Sequence, residues 1–205
     1  MDGDTCPLKE IVHLCEQYGA SLIIDEAHAT GVIGEKGEGL VQQLGLEQKV
    51  FARVHTFGKA CGSHGAAVLG SLKLKEYLVN FARSLLYSTA LPEMSLSHLK
   101  SSYEIFPQMK KERQWLQNLV RLFQEKSSTI LGQVLKSETP IQGVIIGGNE
   151  KVREAGVILR ESGLDVRPIL YPTVPKGQER LRIVLHAFNS EKELEMLLNC
   201  LKNSL

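Results

Sequence analysis

The chain predicts an α/β fold: part of a larger parallel-sheet domain, followed by a smaller C-terminal α/β domain. Three observations point there. Short apolar runs at 22–25, 50–55, 65–70, 141–146 and 180–185 are too brief for confident helices. They alternate with longer segments whose apolar residues recur at helical spacing. Finally, acid, imidazole and amine side chains gather just after the first two runs, and in open parallel sheets ligands bind at the carboxyl ends of strands.

Taken in order, Pro7 to Tyr18 spaces Leu8, Ile11, Val12 and Cys15 as one helical face, with Gly19 as its stop. A strand over 22–25 leads into a glycine-rich loop, Ala29 to Gly39, which is expected to shape a site rather than grip phosphate, since no helix start with free amides is evident. A second strand runs from Val50 to His55 and a third from Gly65 to Gly70. Leu72 to Arg83 reads as an amphipathic helix and Ser84 to Ser88 as a returning strand. From Pro92 to about Lys136 the spacing predicts one or two long helices, with Lys110-Lys111-Glu112-Arg113 on a solvated face. Beyond them the pattern gives a strand at 141–146, helix 150–161, strand 164–170, strand 180–185 and helix 190–201, punctuated by Gly163 and Pro172.

Composition narrows the class of function. With 205 residues, 43% hydrophobic and 23% charged, the chain can bury a substantial core. Its 24 basic and 23 acidic residues balance to a net charge of +1, which leaves no nucleic-acid or polybasic membrane footprint. Cys6, Cys15, Cys61 and Cys200 lack Cys-x-x-Cys spacing, and the histidines form no metal-ligand grouping, so no metal is expected. His13, His55, His64, His98 and His186 read as surface or packing residues. No apolar run nears the roughly 20 residues that span a bilayer, and a reducing cytoplasm is the simplest location.

Two strings carry the chemistry: Leu22-Ile-Ile-Asp-Glu-Ala-His28 and His55-Thr-Phe-Gly-Lys-Ala60. Asp25 and His28 end one strand; Thr56 and Lys59 follow another, with Gly58 allowing close approach. An acid, a histidine and a lysine on neighbouring strand ends suit a lysine Schiff base with an aldehyde cofactor whose pyridinium nitrogen needs a carboxylate partner, namely pyridoxal 5'-phosphate. Asp-Glu-Ala-His alone also matches a helicase-type box, but no Gly-x-x-x-x-Gly-Lys-Ser/Thr loop accompanies it.

Four strings in order make a resemblance: Asp25-Glu-Ala-His-Ala-Thr-Gly-Val32, Gly34-Glu-x-Gly37-x-Gly39, Thr56-Phe-Gly-Lys59 and Tyr87-Ser-Thr-Ala-Leu-Pro92. Pro172-Thr-Val-Pro-x-Gly177 and Arg180-Leu-Arg182 extend it almost to the end. The chain resembles the α-oxoamine synthase family of fold-type I, aspartate-aminotransferase-like pyridoxal-phosphate enzymes, and within it the 8-amino-7-oxononanoate synthase branch. The resemblance implies that Lys59 carries the cofactor and then acts as base, that Asp25 pairs with the pyridine N–H, that His28 lies by the phenolic oxygen and that Thr56 donates a hydroxyl. It also implies that Ser88 and Thr89 reach the phosphate of a neighbouring subunit, that Thr173 contacts substrate and that Arg182 binds the amino acid's carboxylate.

The implied reaction condenses L-alanine with a pimeloyl thioester, losing carbon dioxide, to give 8-amino-7-oxononanoate in biotin synthesis by a cytoplasmic homodimer. Many family members carry an additional arginine before Pro172-Thr173, where this chain reads Ile169-Leu170-Tyr171, so glycine C-acetyltransferase and serine palmitoyltransferase remain alternatives. From another class, a non-catalytic α/β interaction module is the rival. Met1-Asp-Gly-Asp4 resembles the interior of the family's sequences. The chain is therefore expected to be a C-terminal portion: 1–100 from the large domain, 101–136 connecting helices and 137–205 the small domain. By itself it is expected to be inactive.

Overall fold

The computed structural model of the chain describes residues 1–130 and 133–204. They form two compact units, Pro7–Lys110 and Met1–Cys6 with Lys111–Leu205.

In the first unit, helix α1 (Leu8–Tyr18) ends at Gly19, whose φ of 62° lets the following amide return to the Cys15 carbonyl at 2.8 Å. Its buried face is Leu8 and Val12. Together with Val41 from the short helix α2 (Leu40–Gln43) they form a core that Leu22, Ile24, Leu44, Leu46 and Val50 complete. Strand β1 (Ile23–Asp25) pairs in parallel with β2 (Ala52–Thr56), Asp25 standing opposite Val54. Strand β3 (Ala66–Gly70) then pairs with β2 antiparallel rather than parallel. The connection from Phe57 to Gly65 is a tight loop, and only a long crossover returns a chain to the same direction.

Helix α3 (Leu72–Phe81) starts at Ser71, whose hydroxyl accepts the Leu74 amide at 3.2 Å. The strand expected over Ser84–Ser88 is instead helix α4 (Arg83–Leu86). Ala82 O accepts the amides of Leu85 and Leu86, and the Ser88 hydroxyl bonds Ser84 O, so this segment closes on itself with no neighbouring strand. Helix α5 (Glu93–Ile105) follows, then a 3₁₀ turn at Phe106–Gln108.

The second unit is built on the long helix α6 (Lys110–Ile130). Arg113, expected on a solvated face, is buried, because it begins the stripe that continues through Leu116, Leu119, Val120 and Phe123 at helical spacing. Lys110, Lys111 and Glu112 are exposed. The helix expected to reach about 136 crosses positions 131 and 132, outside the described residues. Beyond them Val134 and Leu135 are extended, pairing with Val144 and Gly143. The sheet is antiparallel throughout in the order β4 (Ile141–Ile145), β6 (Arg180–Val184), β5 (Arg167–Ile169). Helices α7 (Asn149–Glu161) and α8 (Glu191–Ser204) complete the unit, in which Phe123, Leu159, Leu181 and Leu201 are fully buried.

Phe123 is fully buried, so Phe123→Ala should destabilise the protein by about 3–5 kcal/mol. Urea unfolding of the full chain checks it, and a loss below about 1 kcal/mol would show that the stripe is not a core anchor.

Candidate functional site

Parallel pairing of β1 and β2 brings two of the expected site residues to the same end of one sheet. Asp25 is the last residue of β1 and Thr56 the last of β2. Because Asp25 is in register with Val54, and alternate residues share a face, Asp25, Val54 and Thr56 point to one side. Asp25 is exposed, and its Oδ1 accepts the Ala27 amide at 2.8 Å, which fixes the carboxylate's orientation at the strand end. His28 is exposed in the turn that follows. Thr56 carries a side-chain oxygen that is buried and has no hydrogen-bond partner. An unsatisfied hydroxyl costs about 1–3 kcal/mol, so its presence on the face that carries Asp25 marks a position that a ligand would satisfy.

Lys59 lies exposed in the tight loop after β2. That loop is held on both sides. The Phe57 amide bonds Gly65 O at 2.9 Å, the Ser63 amide bonds Phe57 O at 2.8 Å and the Gly62 amide bonds Lys59 O at 2.9 Å. Phe57, buried, meets Tyr103 edge-on, while Ser102 Oγ on α5 donates to Cys61 O at 2.9 Å and Ser63 Oγ to Ser95 O at 3.2 Å. Burial pushes the Cys61 thiol and the Tyr103 phenol up, keeping both neutral packing groups. Gly58, expected to permit close approach, meets little from the protein itself: a Cβ there would find only Ser63 O at 3.9 Å, which leaves open space beside Lys59.

The glycine-rich loop adjoins the lysine. Gly31, at φ 81°, packs so closely that an added Cβ would lie 2.9 Å from Ala60 Cβ, next to Lys59. At its far end Gly39 shields a carboxylate the sequence analysis did not single out, that of Glu26: a Cβ at Gly39 would lie 2.6 Å from Glu26 Oε1. Glu26 is only 2% exposed. Its Oε1 accepts the Val41 amide at 2.9 Å at the start of α2, and its Oε2 lies 3.3 Å from His55 Nε2 and 3.9 Å from an Arg53 nitrogen. His55, read as a packing residue, is indeed buried, its Nδ1 2.8 Å from Thr30 Oγ1. Burial opposes ionisation of Glu26, but His55 and the amides of Val41 and Leu40 prevail and hold its carboxyl below the ordinary 4.5. A signal for this pair existed in sequence: if Asp25 faces outward at a strand end, Glu26 faces inward, and Arg53 and His55 share one face of the next strand.

The remaining expected residues stand elsewhere. Ser88 and Thr89 are exposed on the stretch after α4. Leu91, from the same string, packs over Gly65 at the base of the lysine loop. Thr173 and Arg182 belong to the C-terminal unit. Thr173 is exposed, just past a cis Tyr171–Pro172 peptide; the Tyr171 amide and carbonyl both bond the Asn149 side chain, at 2.9 and 3.2 Å. Arg182 lies on β6, half-buried, its Nε donating to Met1 O at 3.1 Å. Glu179, buried beside them, accepts the amides of Gly148 and Gly177 at 2.8 Å each, and these hold its carboxyl down.

The model of the aminotransferase class I and II family matches residues 1–201. An Emericella nidulans protein named 8-amino-7-oxononanoate synthase is 41% identical over 97% of this chain and 50% of its own length. The chain thus spans about half the length of the curated relatives it matches. Among solved structures, the 8-amino-7-oxononanoate synthase of Francisella tularensis aligns with a TM-score of 0.88 and 28% identity, over 99% of this chain and 59% of that one. A serine palmitoyltransferase solved with its pyridoxal-phosphate internal aldimine aligns with a TM-score of 0.92 and 24% identity, over 98% and 51%, a likeness of fold.

Because the Glu26 carboxyl is held below its ordinary 4.5, the stability it contributes is fully present above that value and is lost as pH falls through the depressed one. Acid unfolding of the full chain should therefore show a limb below about pH 4.5 that Glu26→Gln flattens, with a cost of about 1–3 kcal/mol at neutral pH. An unchanged acid limb in that variant would contradict the assignment.

Proposed function

We propose, because the chain belongs to the aminotransferase class I and II family, that it carries the lysine-bearing half of a pyridoxal-phosphate-dependent acyltransferase of the 8-amino-7-oxononanoate synthase type. The observation that carries the reading is 41% identity, across almost the whole chain, to an enzyme of that name. The reaction is condensation of L-alanine with a pimeloyl thioester, on coenzyme A or an acyl carrier, with loss of carbon dioxide and release of the thiol. The working form is a cytoplasmic homodimer, with 1–100 in its large domain, 101–136 connecting and 137–205 in its small domain.

The residues present fit the cofactor. A carboxylate, a buried unpartnered hydroxyl and an amine stand at one end of β1 and β2, with open space at Gly58 for a flat ring. When bound, pyridoxal phosphate supplies a ring that draws off the electron pair left at the amino acid's α-carbon. The chain's own residues do the rest. Lys59 Nζ would hold the cofactor and, once free, would take the α-proton. Asp25 would pair with the ring N–H and keep that proton in place by its negative charge. Thr56 donates its hydroxyl, and His28 lies by the phenolic oxygen. Ser88 and Thr89 serve the phosphate of the partner subunit, Thr173 touches substrate, and the Arg182 guanidinium pairs with the amino acid's carboxylate.

The fold likeness to a serine palmitoyltransferase and the absence of an arginine at 169–171 support a second reading, in which L-serine and a palmitoyl thioester are the substrates. Thiol release by the full chain, measured with L-alanine, glycine and L-serine against pimeloyl, acetyl and palmitoyl thioesters, decides between them. Preference for any pair but L-alanine and pimeloyl overturns the first.

Borohydride reduction of the cofactor-loaded full chain, followed by peptide mapping, should place the label on Lys59 alone; label on Lys73 or Lys75 would sink the lysine assignment. Thr56→Val should raise the stability of the cofactor-free protein by about 1 kcal/mol, since it removes an unsatisfied hydroxyl, while weakening cofactor binding. Unchanged binding would remove Thr56 from the site.

A further inference from the structure

Behind the carboxylate and hydroxyl that face the cofactor lies a second pair, on the opposite side of the same two strands. The Glu26 amide continues the β1–β2 ladder by bonding Val54 O at 2.8 Å, so Glu26 comes level with His55 just as Asp25 is level with Val54. Alternation turns Glu26 and His55 inward where Asp25 and Thr56 turn outward. Each inward residue is the immediate chain neighbour of an outward one.

The contacts around this pair make it a joint between elements. Thr30 Oγ1 lies 2.9 Å from Glu26 O and 2.8 Å from His55 Nδ1. The other imidazole nitrogen, Nε2, faces Glu26 Oε2 at 3.3 Å as an ion-pair contact. The other carboxylate oxygen is taken by the Val41 amide. Through that bond Glu26 anchors α2, and with it the end of the glycine-rich loop whose Gly31 abuts Ala60 beside Lys59. One carboxylate thus touches the supports of Asp25, of Thr56 and of the lysine loop.

We propose that Glu26 is a positioning residue of the cofactor site: by joining His55 on β2 to the start of α2, it holds Asp25 and Thr56 on one face of the paired strands so that carboxylate and hydroxyl would engage one bound ring together. The inference rests on the pyridoxal-phosphate reading above. Its consequence is coupling. Loss of Glu26 acts mainly through Asp25, so its effect on cofactor affinity should be small once Asp25 has already been replaced.

The test titrates the cofactor-free full chain with pyridoxal phosphate, following visible absorbance, for wild type, Glu26→Ala, Asp25→Asn and the double variant. Glu26→Ala should raise the dissociation constant at least about tenfold alone but less than about threefold on the Asp25→Asn background. Effects that multiply, or an unchanged constant in Glu26→Ala, overturn the proposal. Should Glu26→Ala fail to fold, Glu26→Gln carries the same cycle, since its amide oxygen still accepts from Val41. Amide hydrogen exchange of the cofactor-free Glu26→Gln protein supplies a readout independent of the cofactor: protection should fall at Ala27 and persist at Val144 in β4. Unchanged protection at Ala27 overturns the proposal. Wild type that takes up no pyridoxal phosphate overturns the cofactor reading and this inference with it, whereas normal uptake with multiplying losses overturns the inference alone.

Discussion

The first unit depends on a charge kept from water. Moving a carboxylate into a protein interior is costly unless it is paired and hydrogen-bonded, and Glu26, 2% exposed, meets that condition with an amide, an imidazole and a nearby guanidinium. Apolar side chains of similar volume would often be as stable. A carboxylate, unlike them, fixes direction: it requires the end of β1, the middle of β2 and the start of α2 to hold one relative placement. Hydrophobic packing of Leu8, Val12 and Val41 brings these elements together. The buried charge decides how they meet.

What could be read from the sequence follows from which physical signals are local. The helix at 8–18 shows its period and its glycine stop in one window. That Asp25 and Thr56 end strands, with Lys59 in the loop that follows, was legible because polar side chains stand at the ends of apolar runs. Glu26 sits inside the same string and passed unremarked, since an acid beside an acid reads as a polar turn until its partner strand is known. His55 was named only as a packing residue for the same reason. The strand expected at 84–88 failed differently. Its composition suits a strand, but a strand needs an edge to pair with, and the segment satisfies its amides at Ala82 and Arg83 instead. Likewise the direction of β3 depends on the length of a loop, which apolar patterning does not encode.

The C-terminal unit solves its own positioning problem by a related device. Glu179 gathers the amides of Gly148 and Gly177 on one carboxylate oxygen, and Asn149 grips Tyr171 through both its carbonyl and its amide nitrogen. Both clamps join the start of α7 to the segment between β5 and β6 that carries Thr173. Side-chain amides and carboxylates suit this work because loops lack a neighbouring ladder to satisfy their backbone groups. In each unit a buried acid, Glu26 or Glu179, ties such a segment to the start of a helix.

Thr56 gives the arrangement its direction. Close by, Glu26 Oε1 accepts the Val41 amide, Thr30 Oγ1 reaches Glu26 O and His55 Nδ1, and Glu26 Oε2 faces His55 Nε2 at 3.3 Å as an ion-pair contact. The Thr56 hydroxyl, on the same strand face as Asp25, is shut away from water and has neither a hydrogen bond nor an ion-pair contact among the described residues. A fold selected for stability alone would place valine there, with the same shape and no unmet hydrogen bond. A hydroxyl kept at such a position lowers the stability of the empty protein and raises that of any state in which an acceptor arrives. The neighbouring joint of Glu26 and His55 adds rigidity to the same place, so that hydroxyl does not relax toward some other partner. An unmet donor held rigidly costs folding what it returns on binding, and that exchange is what separates a site from a packed strand end.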